Sequence, residues 1–569
     1  MIVPLTVIDG AVADMDICCG FVYALADGSD PAVAQSMIDS LEAATKRVVT
    51  KWPMLQGTPI WQKDTRIWAL DVPTDLEKPN LSRPYLFSSE RINKPYHRVV
   101  GLPAPIAPLS AETTPCHAQP KHKLEHFRHP KLPSTFSGCA KEGASMMAVR
   151  VVVFRDALTV GVTVPHGAFD ATGMGYVISA LRCELHGDAA WSFGPPPPLF
   201  QTNPMGVQID TLKAEPDSAS KAAENSALPA WVSAAKPSHV VKFLLNYVIE
   251  KKWHHDEPRH FFISQRAVDG MIDSVKKEVV ETSGGEEWVS TGDVLNAWSL
   301  KAFHAHEGKS GTSAIATPVF SLRDLLGVSS YAHNAVGPYP LAFEPIPLSE
   351  MARMSIAEVA LVHRRTLAEC RARPYLTATL KKMERLTEGG KVPLMPERSW
   401  PWQLALARIK RNDKKGKKCP LHHTIVSNQA VSDVAKLTVP APAAMGAGSA
   451  ARTRGSSSDA DSERTAAGGG ATTPPKAAAA AASEGKEGSA PVDLEKQALH
   501  APAESTPRDL PLLAYYMRIT APIQDHQAYR FQTNEKGLFM EGSMRRRRWA
   551  NIAKAVEQLE REYGHGKSA

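Results

Sequence analysis

The sequence lacks any apolar run that approaches the ~18 residues a membrane-spanning helix needs, so no integral membrane segment is expected. Its start, MIVPLTVIDGAVADMD, has early acidic residues and no basic n-region, which argues against a secretory signal. Its last residues, HGKSA, do not form a peroxisomal tripeptide. Cysteine is scarce: there are seven in 569 residues, and apart from the adjacent Cys18 and Cys19 each stands alone. An odd count with no paired metal spacing reads as reduced thiols in a cytoplasmic protein. A large excess of either charge is missing too. The net charge of +7 is a mild basic bias. It does not mark a nucleic-acid binder, and it is compatible with acidic substrates and anionic cosubstrates. No internal repeat is present.

What the chain does have is a length natural for two domains and a hydrophobic content of 43%, enough for a substantial core. Ser29 and Asp30 stand before Pro31, a capping pair with proline at the first helical position. Val33, Met37, Leu41 and Val48 follow at helical spacing. IWQKDTRIWALDVP reads as strand, turn and strand. Residues 80–135 are rich in Pro, Ser and His and read as a long, partly irregular connection. The segment 146–164, MMAVRVVVFRDALTVGVTV, reads as a hairpin turning at Arg155, Asp156 and Ala157, with a helix over 173–186 behind it. A proline- and serine-rich crossover at 196–240 separates a first domain, 1–195, from a second, 241–569.

In the second half, RHFFIS predicts a strand followed by an amphipathic helix, and STGDVLNAWSLKAFHAH predicts a helix capped by Ser290 or Thr291. TSAIATPVFSLRDLL reads as a strand, 351–383 as one long helical stretch, and LHHTIVSNQAV as a strand. From 438 to 506 the composition collapses to Ala, Gly, Ser, Thr and Pro. Such a segment cannot bury enough apolar surface to offset its ordering entropy, so a disordered insertion is expected. The strands LPLLAYYMRITAP and YRFQTNEKGLFMEGS resume after it, so it interrupts the second domain rather than ending it. MRRRRW, at 544–549, opens a last helix and reads as a solvated face. His422 and His423 alternate on a strand without an acidic or thiol partner, which indicates no metal.

The stretch that carries chemistry is LTVGVTVPHGAFDATGMGYVISALRCEL, 158–185. A histidine just past a strand, at the mouth of a helix, suits a general base: its pKa is near working pH and the strand fixes its place. Gly167 lets another group approach the backbone. Asp170 either orients the His166 imidazole or pairs with a distant cation and holds the loop. A metal shared by His166 and Asp170 is disfavoured, because Pro165 and Gly167 oppose a helix there and no third ligand is evident.

A hairpin, then His-x-x-x-Asp-x-x-Gly, then a helix resembles the BAHD acyltransferase family, and its fungal branch in particular. Other segments match in order. VPLTVIDG resembles the family's LS-x-x-D element, VVTKWPMLQGTP its PxLAG element, and STGDVLNAW the helix in which Ser or Thr precedes LxAxxW. SLRDLLGVSSYAHNAV resembles the DxRxRxxPPLPxxYFGNAV element at Arg323, Tyr331, Asn334, Ala335 and Val336, and HTIVSNQAV resembles the VTSW or SNW strand. The DFGWG element is absent; Asp433 alone stands in its place.

The resemblance implies an α/β fold of two similar chloramphenicol-acetyltransferase-like domains, mixed sheets flanked by helices, with an active-site tunnel between them. It implies that His166 takes the proton from an acceptor hydroxyl or amine as that atom attacks an acyl-CoA thioester, help worth ~10²–10⁴-fold. Asp170 would then pair with Arg323 as a brace. Ser427 would donate to the oxyanion of the tetrahedral intermediate, or else be an ordinary strand serine. Asn334 would lie by the tunnel or shape a loop. Ser264, Lys276, Ser290 and Thr291 would meet the CoA phosphates, or else serve as surface and capping residues. The co-substrate implied is acyl-CoA, with acetyl as the default acyl group and a secondary metabolite or glycolipid as acceptor. No bound cofactor, metal or nucleic-acid partner is implied, and the protein is expected to be a monomer. A different class, a non-catalytic relative that keeps the fold as a binding module, is disfavoured by the intact His-x-x-x-Asp and Arg323. Condensation domains of peptide synthetases share the fold, but they usually carry a double histidine where this chain has Pro165.

Overall fold

The structure is a computed structural model. It describes the chain except residues 11–12, 14, 66, 74–84, 110–122, 216–255, 307–312, 337–345, 389–420, 430–431, 443–508, 521–527 and 565–569. Two sheets organise the described residues, and a small third one flanks them. The first runs in the order Leu512–Thr520, Asp16–Ala24, Ala157–Pro165, Ala148–Phe154, Leu86–Ile92. All of its pairings are antiparallel except the last, where Leu86–Ile92 runs parallel to Ala148–Phe154. Ala157–Pro165 is buried at every position, which explains its run of apolar and β-branched residues. Gly161, at its middle, is required: a Cβ there would lie 1.8 Å from the Phe127 carbonyl oxygen of the segment crossing the sheet.

The second sheet runs Ile346–Pro347, Ser313–Val319, Leu421–Asn428, Ala528–Asn534, Gly537–Arg545, Asp256–Ser264. Its inner pairings, Leu421–Asn428 with both neighbours, are parallel. The third joins Ile2–Pro4, Ile67–Asp71 and Thr58–Gln62. Helices Pro31–Lys51 and Ala171–His186 pack with the first sheet in one core. Gln265–Ser283, Thr291–His304, Ile356–Arg371 and Arg546–Leu559 share a second core with the second sheet. The helix ends follow capping chemistry. Asp30 accepts from the Ala32 N–H at 2.7 Å, and Gly187, at φ 75°, closes Ala171–His186.

Several segments depart from the sequence reading. Leu512–Thr520, expected with the second domain, is the edge strand of the first sheet, after which the chain returns to the second sheet at Ala528. The two sheets are thereby joined by the chain itself. Leu86–Ile92 is a strand inside the stretch read as irregular. It is an edge strand with Ser89, Glu90 and Arg91 exposed, so its sequence carries little apolar alternation. Within the 196–240 crossover, Pro204–Lys213 is a helix capped by Asn203; residues 216–240 lie outside the described ones. The 351–383 stretch contains two helices, Ile356–Arg371 and Arg373–Glu388, parted at the extended Ala372. Pro374 allows a new helix to start there but not an old one to continue. The strand from Ser313 ends at Val319, so Arg323 lies in a turn. In MRRRRW, Arg546 and Arg547 are exposed but Arg548 is buried beside Trp549, because the helical period turns the fourth arginine inward. Most of the 438–506 segment lies outside the described residues. Its described flanks meet: Pro440 bridges Asp509, and the Leu510 N–H donates to the Val439 carbonyl at 2.8 Å.

Candidate active site

His166 follows directly on the central strand of the first sheet, and its N–H donates to the Met15 carbonyl at 2.8 Å. The next residues turn sharply: the N–H groups of Ala168 and Phe169 both donate to the Pro165 carbonyl. Asp170 then caps Ala171–His186, its Oδ1 accepting from the Gly173 N–H at 3.0 Å. Strand, turn and cap therefore place both side chains without a flexible loop between them.

The two point to different jobs. The Asp170 carboxylate faces Arg323: Nη1 donates to Oδ2 and Nη2 to Oδ1, both at 2.8 Å, and the Ala335 N–H donates to Oδ2 at 3.0 Å. Every Arg323 donor is used. Nε reaches the Tyr331 carbonyl at 2.6 Å, Nη1 also reaches Ser321 Oγ at 3.2 Å, and Nη2 also reaches the His333 carbonyl. Burial alone would raise the Asp170 pKa, but the charge and hydrogen bonds of Arg323 outweigh it and hold the carboxyl below its ordinary range. His166 remains partly exposed. Its Nδ1 is buried, which leaves Nε2 as the nitrogen able to meet another molecule. Burial lowers the His166 pKa below 6.5, partly offset by main-chain hydrogen bonding and the nearby Asp170 charge, so the imidazole is neutral near pH 7.

Asn334 joins this loop: its Nδ2 donates to the His166 carbonyl, so it holds the histidine's main chain. Ser427, half-buried, lies on the second sheet opposite Arg530, and Arg530 is close enough to act electrostatically on His166. Ser427 Oγ accepts from Gln429 Nε2 at 3.0 Å, which leaves its own proton free to donate. The start of Thr291–His304 packs there as well, since a Cβ on Gly292 would lie 2.7 Å from Asn428 Nδ2. Ser290 and Ser264 are helix caps. Ser290 Oγ donates to Asp293 Oδ2 at 2.7 Å, and Ser264 Oγ donates to Glu560 Oε2 at 2.7 Å, so both hydroxyl protons are used within the fold. Thr291 and Lys276 are half-buried, the first at a helix start and the second on Gln265–Ser283. The side chains of His422 and His423 lie outside the described ones.

Sequence reasoning missed three groups. His333 is buried; its Nδ1–H donates to the Ala168 carbonyl at 3.1 Å, and burial pushes its pKa down to about 4. Asn203 ties the Pro4 carbonyl at 3.0 Å to the Tyr331 hydroxyl at 2.9 Å. Asp9 is fully buried beside Asn334. Only the LS-x-x-D resemblance pointed at Asp9. Asn203, just before Pro204, carried a capping signal inside a stretch that read as linker. Five of the cysteines are described, and all are buried free thiols. Among the described residues no group of three or more His, Cys, Asp or Glu could hold a metal ion. No helix among them is long and apolar enough to cross a membrane.

No family model matches the chain. The acetyltransferase BOT5 of Botryotinia fuckeliana is 23% identical over 270 residues, covering 46% of this chain and 47% of that protein. The match thus spans about half the length of that relative. Among solved structures, F. sporotrichioides TRI101 complexed with coenzyme A and T-2 has a TM-score of 0.54 at 14% identity, covering 99% of both chains. F. graminearum TRI101 complexed with coenzyme A and deoxynivalenol has a TM-score of 0.56 at 12% identity, again over 99% of both chains. The chain thus shares the fold of the TRI101 structures, mixed sheets flanked by helices, over nearly its whole length.

Proposed function

We propose that the protein is an acyl-CoA-dependent acyltransferase that moves an acyl group, acetyl by default, from CoA to a hydroxyl or amine of a secondary metabolite or glycolipid. The observation that carries this reading is the division of labour in the His166–Asp170 loop. Asp170 is committed to Arg323, and His166 keeps Nε2 available on a neutral ring. A neutral imidazole held by a strand end is suited to take a proton. His166 Nε2 removes the proton of the acceptor as its oxygen or nitrogen attacks the thioester carbonyl. The tetrahedral intermediate then collapses, and the proton on Nε2 passes to the departing CoA sulfur. Ser427, with its hydroxyl proton free, is the candidate donor to the oxyanion; such a donor typically contributes ~10²–10³ in rate. Lys276 and Thr291 are the candidates for the CoA phosphates. The acetyltransferase name of the BOT5 relative and the CoA complexes of the TRI101 structures favour the same donor.

The test uses the purified full chain with acetyl-CoA, longer acyl-CoAs and a pool of fungal metabolites and glycolipids, with free thiol as the readout. The reading predicts thiol release that depends on acceptor. A protein that neither binds nor turns over any acyl-CoA would instead be a non-catalytic holder of the fold.

A further inference from the structure

Two glutamines behind Ser427 take part in no step above. Ser427 Oγ accepts from Gln429 Nε2 at 3.0 Å, and Gln429 Oε1 accepts from Gln532 Nε2, also at 3.0 Å. Both glutamines are buried, Gln429 at 5% exposure and Gln532 at 0%. The bonds run one way, nitrogen to oxygen, from Gln532 to Ser427. They fill one lone pair of the serine hydroxyl and polarise one another. The far end of the relay is not satisfied: Gln532 Oε1 is buried with no hydrogen-bond partner. A pair of shielded amides with one oxygen unsatisfied stabilises a fold no better than apolar side chains of the same size. Stability alone therefore does not account for them.

The main chain holds the middle of the relay against the His166 loop. The Gln429 N–H donates to the Phe531 carbonyl at 2.8 Å, and the Gln429 carbonyl accepts from the Ser432 N–H at 3.0 Å and the Ser432 hydroxyl at 2.7 Å. Ser432 and Asp433 pack on the helix that Asp170 caps: a Cβ on Gly175 would lie 2.8 Å from the Asp433 nitrogen and 3.5 Å from Ser432 Cβ. Ser427 is the register partner of Arg530, and Arg530 that of Glu541, so these side chains share one face of the second sheet with Gln429 and Gln532. That face meets the first sheet at Met517. Glu541 Oε2 accepts from the Met517 N–H at 3.1 Å, and Gln532 Nε2 lies 3.5 Å from Met517 Sδ. Ser427 thus stands on the face turned toward the sheet whose central strand ends at His166.

We propose that Gln429 and Gln532 are positioning residues for acyl transfer: Gln532 orients the Gln429 amide, and Gln429 occupies a lone pair of Ser427 Oγ, so that the hydroxyl proton is held for the oxyanion of the tetrahedral intermediate. The inference rests on the reading of the chain as an acyltransferase with Ser427 as the oxyanion donor. Without the relay the hydroxyl rotates freely, and the donor is no longer preorganised.

The test compares Gln532→Met, Gln429→Leu and Ser427→Ala with the wild type, by steady-state thiol release and by melting temperature. Ser427→Ala should lower kcat by ~10²–10³. Gln532→Met should lower kcat about tenfold, with KM for acyl-CoA changed by no more than about twofold. Its melting temperature should stay close to that of the wild type, since one unpaired acceptor, Gln532 Oε1, is exchanged for another, Gln429 Oε1. In a Ser427→Ala background, Gln532→Met should change kcat no further, because the serine through which it acts is gone. A Gln532→Met with the kcat of the wild type, or one that slows the Ser427→Ala protein as much as it slows the wild type, would overturn the proposal. A Ser427→Ala as fast as the wild type would overturn it too. A wild type that turns over no acyl-CoA would sink the acyl-transfer reading, and melting would still decide whether the relay forms. Ser427→Ala and Gln429→Leu together should then lower the melting temperature by less than the sum of the two, and additive shifts would mean that no relay exists.

Discussion

Asp170 and Arg323 meet in two parallel hydrogen bonds of 2.8 Å across 153 residues of sequence. Both side chains are about 4% exposed. The pair ties the turn after the central strand to the 321–336 segment, and through the Ala335 N–H and the His333 carbonyl it locks that segment as well. It does so without touching the His166 ring, which separates the brace from the base.

Removing one partner strands a charge in a dry site. Arg323→Ala or Asp170→Ala should each cost ~3–5 kcal/mol of stability, measured by urea unfolding, and the double variant should cost much less than the sum. The Asp170 pKa is depressed on folding, so the carboxylate's contribution is present above its ordinary value of 3.8 and is lost as pH falls below it. Additive single and double variants would show that the two charges do not support each other.

His333 is held neutral by burial, with a pKa of about 4 against 6.5 unfolded. The folded state then binds fewer protons than the unfolded state, so stability falls as pH drops from 6.5 to about 4. One such histidine accounts for about 3 kcal/mol over that window. His333→Gln, neutral throughout, should flatten the acid slope seen in chemical denaturation between pH 7 and 4. An unchanged slope would mean that His333 is already protonated in the fold.

Gly173 sits in the first turn of Ala171–His186, where alanine would ordinarily be the better helix former. Here an added Cβ would lie 2.2 Å from the Ala332 carbonyl oxygen, a backbone atom. Gly173→Ala should therefore destabilise by ~1–3 kcal/mol and slow turnover, because it pushes the capped helix away from the 331–336 segment. Stabilisation by this substitution would contradict the packing described.

The flanks of 443–508 are stitched together at Pro440–Asp509 and Val439–Leu510. Replacing 443–508 with a short Gly/Ser linker should leave thiol release intact. Stability should be unchanged or raised, since each halving of a loop lowers its closure cost by ~0.6 kcal/mol. Loss of a cooperative melt on deletion would show that the segment supports the fold.

The hairpin and the His166 loop were legible because each is local and strongly patterned. Alternating β-branched residues mark 148–165, and Asp30 and Ser290 announce their helices by capping. Non-local placements were not legible. Nothing in LPLLAYYMRITAP says that it pairs with Asp16–Ala24 rather than with the strands that follow it. Leu86–Ile92 was hidden by its polar edge, and Asp9 by its ordinary place in a short capped turn. The Asp170–Arg323 contact was reachable only through family resemblance, because no periodicity connects positions so far apart. Ser264 and Ser290 show the converse: residue type suited a phosphate, while the structure uses both hydroxyls as caps.

The most direct measurement is the rate of acceptor-dependent thiol release from acetyl-CoA by His166→Ala beside the wild type, with the variant's melting temperature matched as a control for folding. Loss of the base predicts a fall of ~10²–10⁴-fold in a protein that still folds. A variant that releases thiol as fast as the wild type would contradict the assignment of His166 and, with it, the account of the site.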